Sequence, residues 1–131
     1  MNNIQFSKFN YPISNVELND DCNTILISLD IASFKYKLLA EGDCCSHSVF
    51  KKYKDNDFNQ LLGKIIKNIK EVDVPDDYND SDVDDENGWN DVSRPHLYEM
   101  RFKNSNEIFQ FQLINYSNGY YDGWMSSSID F

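Results

Sequence analysis

Alternation of apolar and polar residues is the feature that most limits how this chain can fold. The runs "TILISL" and "FKYKLL" each place their apolar side chains on one face, namely those of Ile25, Ile27, Leu29, Phe34, Tyr36 and Leu38. A period of two residues is typical of a strand with one buried face. Because the short segment "DIAS" separates the runs, residues 24–40 are predicted to form a β-hairpin.

A second hairpin is predicted nearer the C-terminus. The runs "HLYEMRF" and "EIFQFQLINY" alternate in the same way on either side of the turn "KNSN". Upstream, "ISNVEL" and the turn "NDDCN" indicate one more strand. Hairpins with one polar face are typical of an antiparallel sheet that has a solvated side.

The middle of the chain favours helices. Asp43 or Ser46 can cap a helix through "CCSHSVFKKY", and the apolar residues from Phe58 to Val72 recur at helical spacing. A rival interpretation ends a short helix at "LG" and makes residues 64–74 a strand, since they are rich in β-branched side chains. The expected fold is a single α+β domain over residues 1–131, with five or six mainly antiparallel strands packed on one or two helices.

Composition and cysteine usage set the class of protein. Hydrophobic residues make up 40% of the chain and aromatic residues 15%, which indicates a globular protein. The chain has no apolar run of about 18 residues and no secretory signal pattern, so we expect no membrane association. Three cysteines, an odd number, suit a reducing compartment, and the host cytosol is the expected location.

The negative charge is concentrated in one segment. Between Glu71 and Asp91 lie ten acidic residues and no Lys or Arg, while the other 12 acidic residues match the 12 basic ones. Residues 75–93 are therefore predicted to form a mobile acidic loop. Direct nucleic-acid binding is not expected, because the body of the domain has no net positive field. The sequence from Asp80 also does not match the calcium-binding loop of an EF-hand, since Asp85 and Asp91 occupy the positions that need Gly and Glu.

The acidic segment can instead imitate nucleic acid or contact a basic patch on a partner. Complementary charge speeds such an encounter. The predicted contact residues of this loop are Asp82, Asp84, Asp85, Glu86 and Trp89.

Three segments carry a resemblance to a known family: "EGDCCSHSVF", "LLGKIIKNIKEVDVP" and "FQLINYSNGYYDGW". In this order they resemble an uncharacterised domain family of phage and bacterial proteins, with a Gly-Asp-Cys-Cys-Ser motif and a C-terminal Asn-Gly-Tyr-Tyr-x-Gly motif. The resemblance covers residues 12–127, favours a strand at 64–74 and implies no activity. The chain departs from the pattern in the acidic insert after Pro75, in Val49 where an aromatic is usual, and in Asp122 where a glycine often stands.

The two adjacent cysteines leave a chemical alternative open. At a helix start, Cys44 or Cys45 would have a lowered thiol pKa, and His47 would lie within a turn. Close packing of small side chains against the sheet is the favoured explanation of the pair. No cysteine or histidine pair has the spacing of a structural zinc site, so we expect no metal and no cofactor. A small Cys/His metalloprotein or a cysteine-dependent enzyme remains the alternative.

The segment "NYSNGYYDGW" is the second part of the predicted site. Its tight turns would present Tyr120, Tyr121 and Trp124, residue types enriched at binding hot spots. We therefore expect a non-enzymatic binding module of phage, viral or mobile-element origin that contacts a host protein or a small anionic ligand. A structural virion or assembly protein is a further alternative. The predicted binding residues are Asp43, Cys44, Cys45, Ser46, His47, Asn118, Gly119, Tyr120, Tyr121 and Trp124.

Overall fold

The protein is built almost wholly of antiparallel strands. The computed structural model describes residues 3–5, 11–29, 35–43, 46–76, 92–117 and 122–130. Within these ranges there is no α-helix, and the only helical element is a short 3-10 turn, Phe58–Leu61. The α+β prediction is therefore wrong.

The described residues form nine strands, numbered in chain order. They are β1 (Asn3–Gln5), β2 (Ile13–Leu18), β3 (Thr24–Leu29), β4 (Lys35–Gly42), β5 (His47–Lys52), β6 (Ile66–Val72), β7 (Val92–Phe102), β8 (Ile108–Ser117) and β9 (Gly123–Asp130). They form a five-stranded sheet in the order β1-β6-β7-β8-β5 and a four-stranded sheet in the order β2-β3-β4-β9. Every pairing is antiparallel.

The two predicted hairpins are confirmed. Ile27 pairs with Tyr36 across β3 and β4, and Met100 pairs with Phe109 across β7 and β8. The alternating residues of these strands line the core because their side chains point between the two sheets. The predicted strand "ISNVEL" is also confirmed, as β2.

The helix predicted after Asp43 is wrong, because the segment forms strand β5. Ser48 and Phe50 are buried while their neighbours Val49 and Lys51 are partly exposed, so burial alternates with period two. Phe50 pairs with Leu113 of β8 and packs on the ring of Phe111, with ring centroids 5.9 Å apart. Burial of this ring against a preformed sheet outweighs the local preference for a helix cap.

The helical spacing from Phe58 to Val72 has two separate causes. The 3-10 turn accounts for the first part, and Gly63, with φ of +83°, ends it in the left-handed region. The second part is β6, as the rival strand interpretation held. A bulge between Ile66 and Asn68 inserts one residue, so that Ile66 and Ile69 are both buried although three positions apart.

The core lies between the sheets and is rich in aromatic rings. Tyr98 stacks on Phe111 with centroids 5.6 Å apart, and Phe58 packs on Phe109 at 5.6 Å. From the facing sheet, Ile27 and Leu38 are fully buried. In the described ranges, no helix has the length and apolar character needed to cross a membrane.

Candidate functional site

Three connections between strands meet at one end of the sandwich. Strands β4 and β9 pair up to Gly42 and Gly123, where the β4–β5 and β8–β9 connections begin and end. In the other sheet, His47 of β5 pairs with Tyr116 near the end of β8, and Val92, the first residue of β7, pairs with Ser117. Antiparallel pairing therefore brings both glycine-containing motifs and the 73–91 connection to this end, which we call the acidic end.

The segments that begin and end at the acidic end carry most of the negative charge in the sequence. Residues 41–47 contain two acidic residues, 71–91 contain ten and 117–124 contain one, which is thirteen of the 22 in the chain. These three segments contain no Lys or Arg. Carboxylates grouped at one end of a folded domain produce a negative electrostatic field that attracts positively charged groups.

The two motifs are joined directly by their backbones. The amide of Asp43 donates to the carbonyl of Asp122 at 3.1 Å, and the amide of Asp122 lies 3.4 Å from the Asp43 carboxylate. The backbone therefore holds the residues that flank "CC" and "NGYY" next to each other.

His96 joins the two sheets at the acidic end. Its Nδ1 lies 2.9 Å from Glu71 Oε2 on β6, and its Nε2 lies 2.7 Å from Asp122 Oδ1 just before β9. The same Asp122 oxygen accepts a bond from the Gly123 amide at 2.8 Å. The His96 side chain is 17% exposed, so these charge-assisted bonds form in a partly desolvated place.

The surroundings of His96 favour its charged form. Burial by itself lowers the pKa of His96, but the hydrogen bonds and negative charges of Glu71 and Asp122 outweigh it, so that the pKa of His96 is raised. Burial and the same two carboxylates raise the pKa of the neighbouring Tyr98, which the Met125 backbone only partly offsets. Tyr98 therefore stays neutral beside the imidazole.

A second network fixes the corner between β4 and β5. The hydroxyl of Ser46 donates to the Asp43 carbonyl at 2.7 Å, and that of Ser48 donates to the Glu41 carbonyl at 2.8 Å. Each hydroxyl has a single proton, so both accept from the side-chain amide of Asn115, at 3.1 Å and 2.9 Å. Asn115 is fully buried.

Both motif glycines are required by this network. A Cβ on Gly123 would overlap the Ser48 hydroxyl and come within 2.8 Å of the Glu41 carbonyl and 2.9 Å of the Asn115 amide. A Cβ on Gly42 would lie 2.5 Å from the Ser46 hydroxyl and 3.0 Å from the Asn115 amide. The paired glycines leave the space that Asn115 and the two serines fill.

Comparison with family models places residues 13–126 in DUF7448, a domain of unknown function. The chain belongs to this family. The DUF7448 chain is also 36% identical over 118 residues to the uncharacterised protein L278 of Acanthamoeba polyphaga mimivirus, a match that covers 86% of this chain and 83% of the relative. No solved structure matches it. The matched range nearly coincides with residues 12–127, the extent of the resemblance found in the sequence.

The structure of the DUF7448 domain describes some of the predicted binding residues. Asp43 is exposed at the end of β4, Ser46 is partly buried, and His47 and Trp124 are exposed at the starts of β5 and β9. Trp124 pairs with Glu41 across β4 and β9. The other predicted residues lie outside the described ranges, as do the "DIAS" turn and the predicted acidic loop from residue 77 to 91: Cys44, Cys45, Asn118, Gly119, Tyr120, Tyr121, Asp82, Asp84, Asp85, Glu86 and Trp89.

Sequence reasoning missed His96, Glu71 and Asn115 as site residues. His96 could not be recognised from the sequence because its partners Glu71 and Asp122 lie 25 and 26 residues away from it along the chain. The one signal available was a histidine, an asparagine and a glutamate at inward positions of otherwise apolar strands. Buried polar groups in such positions are normally hydrogen-bonded to each other.

The geometry of His96 is that of a bridge that holds the two sheets together. A general base needs a free ring nitrogen within reach of substrate, and both nitrogens of His96 contact carboxylates. Among the residues that the structure describes, no group of three or more His, Cys, Asp or Glu side chains converges on a point suited to a metal ion.

The His96 bridge predicts a pH dependence of stability. Because the folded-state pKa of His96 is raised, its contribution is fully present below the unfolded value of about 6.5 and is lost as pH rises through the folded pKa. Above that point a neutral imidazole can donate to only one of the two carboxylates. We expect urea unfolding of the wild-type domain to show a free energy of unfolding that declines as the pH rises above the unfolded pKa of about 6.5.

The matched variants are H96Q and H47Q. His47 is exposed at the start of β5, so H47Q should keep the wild-type decline. H96Q should flatten this decline. At pH 6 it should lower the free energy of unfolding by about 2 kcal/mol, because two charge-assisted hydrogen bonds are lost. An unchanged pH slope in H96Q would show that the bridge does not contribute to folding.

Proposed function

We propose that this protein is a non-enzymatic binding module whose acidic end engages a basic segment of a protein partner. The observation that carries the proposal is that three connections, whose sequences hold thirteen acidic residues and no Lys or Arg, begin and end at one end of the sandwich. A basic partner would find this end by long-range attraction, and its lysine or arginine side chains would meet carboxylates over a wide surface.

A cationic partner is favoured over the small anionic ligand also considered from the sequence. A helix start after Asp43 would have offered free backbone amides to an anion, but strand β5 follows there instead. The amide of Asp43 is used by the Asp122 carbonyl. The carboxylates of Asp43 and Asp122 at this point would repel an anion.

The scaffold fits a role in recognition. The His96 bridge and the Asn115 network hold the edges of both sheets in place, so the described part of the binding surface needs little ordering when a partner arrives. Trp124, 43% exposed beside Glu41, supplies a stiff apolar contact next to the charges. The occupied nitrogens of His96 give no support to the enzymatic alternative.

The viral relative supports an origin in a viral or other mobile genome. The mimivirus protein is similar over most of both chains. In such a setting an acidic module would act by occupying a basic surface of a host component, as the sequence suggested for an acidic decoy.

Binding to a basic peptide is expected to depend on the acidic end specifically. The probe is a synthetic ten-residue peptide of alternating Lys and Ala, measured by calorimetry in low salt. D73N/D76N removes two exposed carboxylates beside β6, and we expect about threefold to fivefold weaker binding. Raising the salt concentration should weaken wild-type binding steeply, because these charges are exposed.

The control is D55N/D57N, which removes two exposed carboxylates from the segment between β5 and the Phe58–Leu61 turn, at the opposite end of the sandwich. It should bind nearly as the wild type does. Equal losses in the two variants would mean that only the net charge matters, and the proposed surface would then be wrong.

A further inference from the structure

A groove of about 670 Å³ lies on the outer face of the four-stranded sheet and carries opposite charges on its two sides. Glu17 of β2 pairs with Leu26 of β3, and Leu26 pairs with Lys37 of β4. These three side chains form one row that points away from the core, because the neighbouring residues Ile25 and Ile27 point into it. The Cα atoms of Glu17 and Lys37 are about 10 Å apart, which is two strand spacings.

The charged groups of this groove are not matched by other side chains. Asp20, in the β2–β3 turn, adds a second exposed carboxylate beside that of Glu17. Lys37, which is partly buried, faces the two carboxylates across Leu26. Within the described ranges, no hydrogen bond or ion pair joins these three charged groups to one another or to another side chain. The groove therefore offers a cation site and an anion site with an apolar floor between them.

The turn that carries Asp20 is held by its own hydrogen bonds. The side-chain oxygen of Asn19 accepts from the backbone amides of Asn23 and Thr24 at 2.9 Å and 3.0 Å. The side-chain amide of Asn19 donates to the side-chain oxygen of Asn23 at 2.6 Å. The acidic side of the groove is therefore in place before a ligand arrives, which reduces the entropy lost on binding.

A second groove, of about 700 Å³, provides a contrast. It is lined by residues of the 3-10 turn and of the β7–β8 turn. Its lysine, Lys64, forms an ion pair with Glu107 and lies over the ring of Phe102, 5.1 Å from the centroid. The opposite charges of this second groove neutralise each other, so it has less to offer a charged ligand.

We propose that the groove on the four-stranded sheet binds the C-terminal residue of a peptide that ends in lysine or arginine. The cationic group of that residue contacts Glu17 and Asp20, and its terminal carboxylate contacts Lys37. Its aliphatic stem packs on Leu26, as the stems of lysine and arginine do on apolar surfaces. A lysine inside a peptide has no carboxylate of its own and leaves Lys37 unmatched.

This site goes beyond the acidic end, because Glu17, Asp20 and Lys37 all lie outside the three segments that meet there. It also makes a demand opposite to that of general electrostatic attraction. Amidation of a peptide removes the negative charge of its C-terminus, so a protein with a net charge of −10 should attract the amide more strongly. The groove should instead favour the free carboxylate, because the amide cannot pair with Lys37.

The test compares two forms of the peptide acetyl-Ala-Ala-Ala-Lys, one with a free C-terminal carboxylate and one with a C-terminal amide. Each is titrated into the wild-type chain in low salt and followed by amide chemical shifts. The free acid should bind about threefold more tightly than the amide, which is the effect of one exposed ion pair. The largest shifts should fall on Thr24, Leu26 and Lys37. Equal binding, tighter binding of the amide, or shifts centred elsewhere would each overturn the proposal, and none of these results depends on a variant.

K37Q and K35Q are the matched variants. Lys35 lies on the same face of β4, two residues from Lys37, but pairs with Ser28 and does not line the groove. K37Q should remove the preference for the free acid, and K35Q should keep it. Equal preferences in the two variants would contradict the assigned role of Lys37.

D73N/D76N separates this proposal from that of the acidic end. It should keep the preference for the free acid even though it weakens binding of the alternating Lys and Ala peptide. Loss of the preference in D73N/D76N would count against the groove, whereas unchanged binding of the alternating peptide would count against the acidic end alone.

Discussion

Replacing Gly123 with alanine is expected to destabilise the domain by about 3 kcal/mol, the upper end for overpacking in a tight interior. The added methyl group would meet the Ser48 hydroxyl, the Glu41 carbonyl and the Asn115 amide. Two of these groups belong to hydrogen bonds that fix the β4–β5 corner, and the carbonyl belongs to the backbone of the neighbouring strand. None can move without breaking a bond of the network.

Gly63 provides the comparison for this experiment. Its Cβ position is open, but φ is +83°, so G63A should cost about 1 kcal/mol through backbone strain alone. Chemical denaturation of wild type, G123A and G63A measures both effects. If G123A loses no more free energy of unfolding than G63A, the hydrogen-bond network rearranges at little cost and does not fix the acidic end.

Changing Asn115 to aspartate is expected to lower the free energy of unfolding by about 3 kcal/mol or more at neutral pH. The Asn115 amide donates to the oxygens of Ser46 and Ser48, and both hydroxyls already donate to backbone carbonyls. A carboxylate there would face two acceptors with no donor, in a fully buried place. Asn115 also pairs across β8 with Ser48 of β5, so the damage should extend to the edge strand.

The aspartate variant has a pH signature that separates charge from packing. Burial would raise the pKa of the new carboxyl above its unfolded value, so the variant should recover stability relative to wild type as pH falls toward 4. N115L, of similar size, should show no such recovery. Equal pH dependence of the two variants would contradict the assigned role of the amide.

The sequence predicts the two hairpins because their alternation is unbroken. Ile25, Ile27 and Leu29 lie on the core side as expected, and so do Met100 and Phe111. The helices were predicted wrongly because two spacings of three or four residues had other causes. Between Ile66 and Ile69 the cause is a bulge, and at Phe58–Leu61 it is a short 3-10 turn. Neither a bulge nor the register of partner strands can be seen in one strand alone.

The candidate site could be predicted only in part. The resemblance indicated that the two glycine-containing motifs belong together, and the structure pairs Asp43 with Asp122. The residues that hold them, His96 and Asn115, act through partners brought near by the sheet order, which a single sequence does not reveal. The 73–91 connection begins and ends at the same end of the sandwich because β6 and β7 pair there, with Val72 opposite Leu97.

The most direct test of the account is a map of amide chemical shifts during titration with the basic ten-residue peptide described above. If the acidic end is the binding surface, the largest changes should fall on Asp43, Glu71, Asp73, Asp122 and Trp124, and they should fade in high salt. The β7–β8 turn at residues 103–107 lies at the other end and should not respond. Changes spread evenly over the surface, or centred on that turn, would contradict the account.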